Sequence, residues 1–186
     1  AVICVILGMG MPTSGVYVLL AALVAPSLVQ AGIQPIAAHM FILYFGMMSM
    51  ITPPVALAAF AAATICDEKP LKVGLAAMRV GWAAFIIPFI FVASPALLLE
   101  GTGIEIAMTF IQSTIGVVAI TAGIVGFWGR KLGTVLRLLL VIAGILAMPL
   151  GFIPAEQVAQ LPAAAVVIAI LVALRVMRPQ SGTISV

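Results

Sequence analysis

Two short stretches of this chain set glycine, proline and hydroxyl residues inside otherwise apolar sequence. They are Gly8-Met-Gly-Met-Pro-Thr-Ser14 and Gly46-Met-Met-Ser-Met-Ile-Thr-Pro-Pro54. Proline has no backbone N–H and disfavours a helical turn before it, so each stretch leaves backbone carbonyls without their helical partners. Thr13, Ser14, Ser49 and Thr52 bring hydroxyl oxygens to the same places. Glycine permits close approach. Several neutral oxygens with little geometric demand suit a sodium ion, and no buried carboxylate is needed. Helix N-termini expected at Thr13/Ser14 and after Thr52 would present N–H groups and a positive dipole end to an anion. The plain alternative is a pair of kinks whose carbonyls are satisfied by internal hydroxyls.

Other chemistry finds less support. The chain has one histidine, and its five acidic residues fall in loops, so no protein-built metal site is expected. His39 is read as a packed hydrogen-bonder rather than a ligand or proton relay. Thr13-Ser14-Gly15 resembles part of the GxSG motif of intramembrane serine peptidases. Pro12 stands where the first glycine belongs, and no spacing pairs Ser14 with His39. A phosphate loop is absent, because no lysine follows Gly8 or Gly10 at a useful distance. Cys4 and Cys66 form no spacing motif. Met9, Met11, Met40, Met47, Met48 and Met50 cluster around the two stretches, where flexible thioethers suit a surface that repacks as well as they fill gaps.

The elements that hold these residues are those of a membrane. Of 186 residues 65% are hydrophobic and 7% charged, with a mean hydropathy of +1.38, against about 25% charge in a soluble domain. The fold class is all-α: a polytopic transmembrane helical protein. The chain begins at Ala1 in apolar sequence without a basic leader, which reads as part of a longer polypeptide and not as a signal peptide. Apolar arms at residues 1–8 and 15–29 flank the first stretch. Fifteen helical residues reach about 22 Å, short of a hydrocarbon core of roughly 30 Å. The pair is therefore read as a re-entrant hairpin, with Pro26 kinking its second arm; the alternative is one spanning helix with a proline kink, which would use residues 1–29 poorly. One straight helix from Pro35 to Cys66 would be about 48 Å long, so a discontinuous crossing is expected. Its first half ends near Ser49, and its second begins directly after Pro53-Pro54 with proline at the first helical position. An interfacial helix is expected at 71–80, and spans at 80–98, 106–127, 134–150 and 160–176. Gly123, Gly126 and Gly129, and Ala62 with Ala63, are read as close-packing surfaces.

Charge orients these elements. Lys69, Lys72 and Arg79 lie on one side, the next loop holds only Glu100 and Glu105, and Arg130, Lys131 and Arg137 return to the first side. Glu156 follows alone, and Arg175 and Arg178 close the chain on the basic side. Placing the basic side in the cytoplasm makes the C-terminus cytoplasmic, Gln30–Pro35 external, and the hairpin an entry from outside. The net charge of +3 lies in these short loops and does not point to nucleic acid.

Three stretches carry a family resemblance: Gly8-Met-Gly-Met-Pro-Thr-Ser-Gly-Val-Tyr-Val18, Ala38-His-Met-Phe-Ile-Leu-Tyr-Phe-Gly46 and Ile51-Thr-Pro-Pro-Val-Ala-Leu57. They resemble the large permease subunit of tripartite ATP-independent periplasmic (TRAP) transporters, and within it the fused type that works with TAXI-type binding proteins. The likeness is strong over residues 1–99, and residues 100–186 look like the extra helices of fused forms. The resemblance implies a secondary transporter of the bacterial inner membrane with no enzymatic step. Such a protein has inverted repeats, moves its transport domain as an elevator, and couples inward sodium flow to uptake of an organic acid from a periplasmic binding protein. It also implies a small membrane subunit or its fused equivalent, and a first repeat outside these residues without which this chain does not transport. Residues 1–66 would be the second repeat's hairpin and broken helix, 67–99 an interfacial and a transmembrane helix, and 100–186 three further spans with a short tail. Gly10, Met11, Pro12, Thr13 and Ser14 would meet substrate, and Gly8, Thr13, Ser49, Thr52 and Pro53 would hold sodium. Two other readings stand beside this one: an anion transporter of another inverted-repeat family, coupled to protons or sodium, and a structural membrane subunit.

Overall fold

The computed structural model describes residues 1–128, 131–149 and 167. Helices connected by short turns make up the described residues, with no strand beyond one isolated bridge between Phe127 and Lys131. Two compact units divide the chain, Ala1–Glu100 and Gly101–Val186.

In the first unit α1 (Val2–Gly8) and α2 (Thr13–Leu23) are joined by the turn that Gly10, at φ +78°, and Pro12, extended at ψ 146°, impose. Pro26 sits in the first turn of α3 (Ala25–Gln30), so the second arm bends at Val24 as proline at that position dictates. Both arms pack on α4 (Pro35–Met48) around Cys4, Val16, Leu20, Phe41, Ile42 and Phe45. Gly46 makes this approach possible: a methyl there would stand 2.7 Å from Val16 Cγ1. After the second break come α5 (Leu57–Cys66), α6 (Pro70–Val80), α7 (Ala83–Ala93) and a 3-10 turn at Pro95–Leu98. Edge-on ring contacts of Phe89 with Phe41 and Phe45, and of Tyr44 with Phe91, fasten α7 to α4.

Lengths differ from the expected spans in one place. The interfacial helix expected at 71–80 is α6, and the span anticipated at 80–98 is shorter: α7 starts past a 40° bend from α6, where Gly81 caps α6, and stops at Ala93 before Pro95. By length and composition α8 (Gly103–Val125) alone, among the described residues, is long and apolar enough to cross a membrane, or α8 and the bent α6–α7 pair if that pair is one span. In the first unit the remaining apolar helices are short because the two breaks and Pro26 divide them.

In the second unit a Thr102–Glu105 capping box starts α8. This helix packs along α9 (Thr134–Ala147) through glycines: a methyl on Gly116 would be 2.8 Å from Gly144 O, and one on Gly123 2.8 Å from Arg137 O. Gly123 thus packs as its spacing suggests. Gly126 instead ends α8 in the left-handed conformation at φ +74°, and Gly129 lies outside the described residues, as does the span expected at 160–176 apart from Val167. Arg137 turns inward, its Nε and Nη2 donating to the Gly123 and Ile124 carbonyls at 2.9 Å each, so it satisfies acceptors that the end of α8 leaves open.

Candidate functional site

The two breaks meet. Ser49, at the end of α4 and 1% exposed, donates its hydroxyl to Gly8 O at 2.9 Å and lies 2.6 Å from Gly46 O. Gly8 O also accepts from Met11 N at 3.4 Å, which closes the hairpin tip. Nothing larger than glycine fits at position 8, where a Cβ would be 2.8 Å from Ser49 Oγ and 3.0 Å from Gly46 O. Thr52 donates to Met48 O at 2.6 Å, which also accepts from Ile51 N at 3.2 Å, so hydroxyls satisfy carbonyls at both ends of the break, as the plain alternative of internally satisfied kinks expects. A hydroxyl has one proton and two lone pairs. With the protons of Ser49 and Thr52 committed to carbonyls, each oxygen keeps its lone pairs as acceptors.

The helix ends add a field. Both α1 and α4 terminate at this junction, at Gly8 and at Ser49. Each C-terminus carries the partial negative charge of a helix end, with its last carbonyls held by tight turns and by the hydroxyls of Ser49 and Thr52. Neither stretch contains an ionisable side chain. A site of neutral oxygens between two negative helix ends favours a cation over an anion. The N-terminus of α2, at Thr13, has the opposite sign.

The break is longer than expected after Ser49. The helix does not resume at Pro53 or Pro54, which are joined by a cis peptide bond in the turn, but at Leu57. Chain from Ser49 to Ala56 is taken up by a loop in which the Ala58 N–H reaches back to Met50 O at 3.0 Å and Leu57 N–H donates to Val55 O. The start of α5 is therefore tied into the break. Pro53 serves the turn and not the first helical position.

Among the anticipated residues, Gly8 and Ser49 form the buried junction, and Thr52 and Pro53 are half-buried beside it. Gly10 faces the same break, with the site of its missing Cβ 3.8 Å from Val55 Cγ1. Met11 is half-buried against the core of the arms. Pro12, Thr13 and Ser14 are exposed at the start of α2, and neither hydroxyl is bonded to the break. Sequence reasoning missed Tyr17, whose hydroxyl is 3.0 Å from His39 Nδ1 and joins α2 to α4. The signal was its position one turn past Thr13, on the face that meets α4. With His39 engaged by Tyr17 and Ser14 exposed, the peptidase pairing has no geometry. No three His, Cys, Asp or Glu side chains come together among the described residues.

Broken apolar helices that gather carbonyl and hydroxyl oxygens are the kind of arrangement that membrane transport proteins use. The chain belongs to the family described as "Tripartite ATP-independent periplasmic transporter, DctM component", whose model matches residues 1–106. Neither a curated protein nor a solved structure matches it. Membership makes it an integral inner-membrane permease component of the TRAP transporter type, a family of transporters.

Proposed function

We propose that residues 1–66 form one half of the site of a sodium-coupled permease that takes up a small organic acid anion. The Ser49 hydroxyl, held between the Gly8 and Gly46 carbonyls where two helix C-termini converge, carries this reading. Sodium is cargo here, drawn to the oxygens of Gly8, Ser49 and Thr52, with Pro53 holding the break open and Thr13 closing from the tip. The substrate carboxylate meets Gly10, Met11, Pro12, Thr13 and Ser14, at the exposed positive end of α2. Helices 1 and 2 act as a re-entrant hairpin, and α4 and α5 as one discontinuous crossing, in half of an inverted repeat. The other half comes from the rest of the permease, and substrate arrives from a periplasmic binding protein. A small membrane subunit, or a fused equivalent, completes the assembly in the lipid bilayer. Sodium occupancy stabilises the hairpin against the break and so favours its closure over substrate, with alternating access as the transport step.

Single cysteines at Thr13 and Thr52 in the full-length permease test this. Slower labelling in sodium than in potassium at both positions supports a shared ion-coupled site. Equal labelling in both salts, in folded protein, refutes the sodium assignment. Proton coupling is the second reading, favoured by the Tyr17–His39 hydrogen bond. It predicts that labelling follows pH and ignores sodium.

A further inference from the structure

Helix α6 lies outside the two breaks, yet its one buried residue, Gly74, sits on them. A Cβ at Gly74 would be 3.0 Å from Pro53 Cγ, 3.5 Å from Pro53 Cδ and 3.8 Å from Ala56 Cβ. Two turns further on, at the end of α6, a Cβ at Gly81 would be 3.2 Å from Ile51 Cδ1. The backbone of α6 is thus laid directly along the loop that carries Ile51, Thr52 and Pro53, on contacts too tight for a methyl unless the loop gives by a few tenths of an ångström. The rest of α6 is not gripped in this way: Leu71 and Leu75 are exposed, and Lys72 pairs with Glu68 of the preceding turn at the surface.

We infer that Gly74 is a positioning residue for the ion site: α6 is a buttress that fixes how far the 51–56 loop stands from the Gly8–Ser49 junction. This inference rests on the sodium reading above. The physical reason is the stiffness of the opposing group. Proline's ring is closed onto its own backbone, so it cannot swing aside as the end of a long side chain does. A methyl at Gly74 must displace the ring by a few tenths of an ångström, and the displacement passes into the loop backbone. Thr52, bonded to Met48 O, moves with that backbone. The sign follows: added bulk at position 74 pushes the loop out of register with Gly8 and Ser49 and weakens the ion, without touching an ion ligand.

The test uses the purified full-length permease and sodium chloride as the probe, with potassium chloride holding ionic strength constant. Thermal midpoint against sodium concentration gives a half-saturation value, because a ligand that binds only the folded state raises stability as its logarithm. The expected result is a sodium-specific rise in the unsubstituted protein, with half-saturation shifted upward on the order of tenfold in Gly74→Ala, the lower end for contacts that support a metal site. In a Pro53→Ala background, which lacks the opposing Cγ and Cδ, Gly74→Ala shifts half-saturation no further. Gly103→Ala, placed where no atom lies within 4 Å of the new methyl, leaves the curve unchanged. An unshifted Gly74→Ala, or an equal shift with and without Pro53, overturns the inference while the sodium site stands. Absence of any sodium-specific rise in the unsubstituted protein overturns both. Should Gly74→Ala fail to fold, Gly81→Ala applies the same pressure through the free end of Ile51. Its smaller shift, relieved by Ile51→Val, supports the buttress, and no shift refutes it.

Discussion

At the scale of single residues, the site depends on where one proton goes. Ser49 commits its proton to carbonyls of two helices that end together, and its burial means that water cannot replace it. Ser49→Ala removes that donor and keeps the shape. Gly8 O retains the Met11 N–H, but Gly46 O loses its side-chain partner. An unpaired buried acceptor costs about 1–3 kcal/mol. The expected outcome is a lower thermal midpoint in potassium together with loss of sodium-specific stabilisation, read from melting curves in the two salts. A drop in midpoint with the sodium response intact would make Ser49 a structural hydroxyl only. Hydroxyl, glycine and proline types were legible from sequence, because their backbone consequences are local. The pairing of Ser49 with Gly8 was not, since it depends on how α1 docks against α4. Tyr17 escaped for the same reason: its partner His39 lies on another helix.

At the scale of elements, breaks were legible and restarts were not. Gly10 and Pro12 end α1 and begin α2 where their backbone preferences require. By contrast, the restart after Pro53-Pro54 is set by the Met50–Ala58 hydrogen bond, which spans eight residues and leaves no trace in composition. The α6–α7 boundary lies near residue 80, where Lys72 and Arg79 give way to apolar sequence, and Pro95 marks the end of the helices that follow. Glycine spacing did foretell that α8 packs closely, though it singled out Gly123 and not Gly116 or Gly144. In lipid such contact stands in for hydrophobic driving force, since apolar surfaces gain nothing by leaving a hydrocarbon solvent. A methyl on Gly144 would lie 2.6 Å from Ile120 Cγ1 and 2.9 Å from Gly116 O, so the helices must part. Gly144→Ala is therefore expected to destabilise the full-length protein by about 1–3 kcal/mol, the range for overpacking, measured as a lower thermal midpoint. Gly103→Ala, in the first turn of α8 with open space at the added methyl, is expected to be neutral. Equal effects of the two substitutions would mean that close packing is not what holds α8 to α9.

At the scale of the whole molecule, the direction of the hairpin decides from which side the tip meets its cargo. The family match runs from residue 1 to 106, so it takes in the first unit and the opening of α8. Within that length the charges give the orientation: Lys69, Lys72 and Arg79 gather around α6, while Gln30–Pro35 carries none and the turn before α8 offers only Glu100 and Glu105. Lysine and arginine are retained on the cytoplasmic side of short loops. On the orientation we propose, the connection from α5 to α6 would be cytoplasmic, the turn between α3 and α4 external, and both arms would enter from outside with Gly10 and Pro12 toward the membrane centre. Substrate released by a periplasmic partner would reach the exposed α2 N-terminus directly. Single cysteines at Gln34, Lys69 and Thr102 in the full-length protein test the orientation, after replacement of exposed Cys66 and with buried Cys4 retained. A membrane-impermeant maleimide is expected to label positions 34 and 102 in intact cells, and position 69 only after permeabilisation. The opposite pattern would turn the hairpin to the cytoplasm, leave the tip out of reach of a periplasmic protein in the outward state, and assign capture of substrate to the half of the permease that lies beyond these residues.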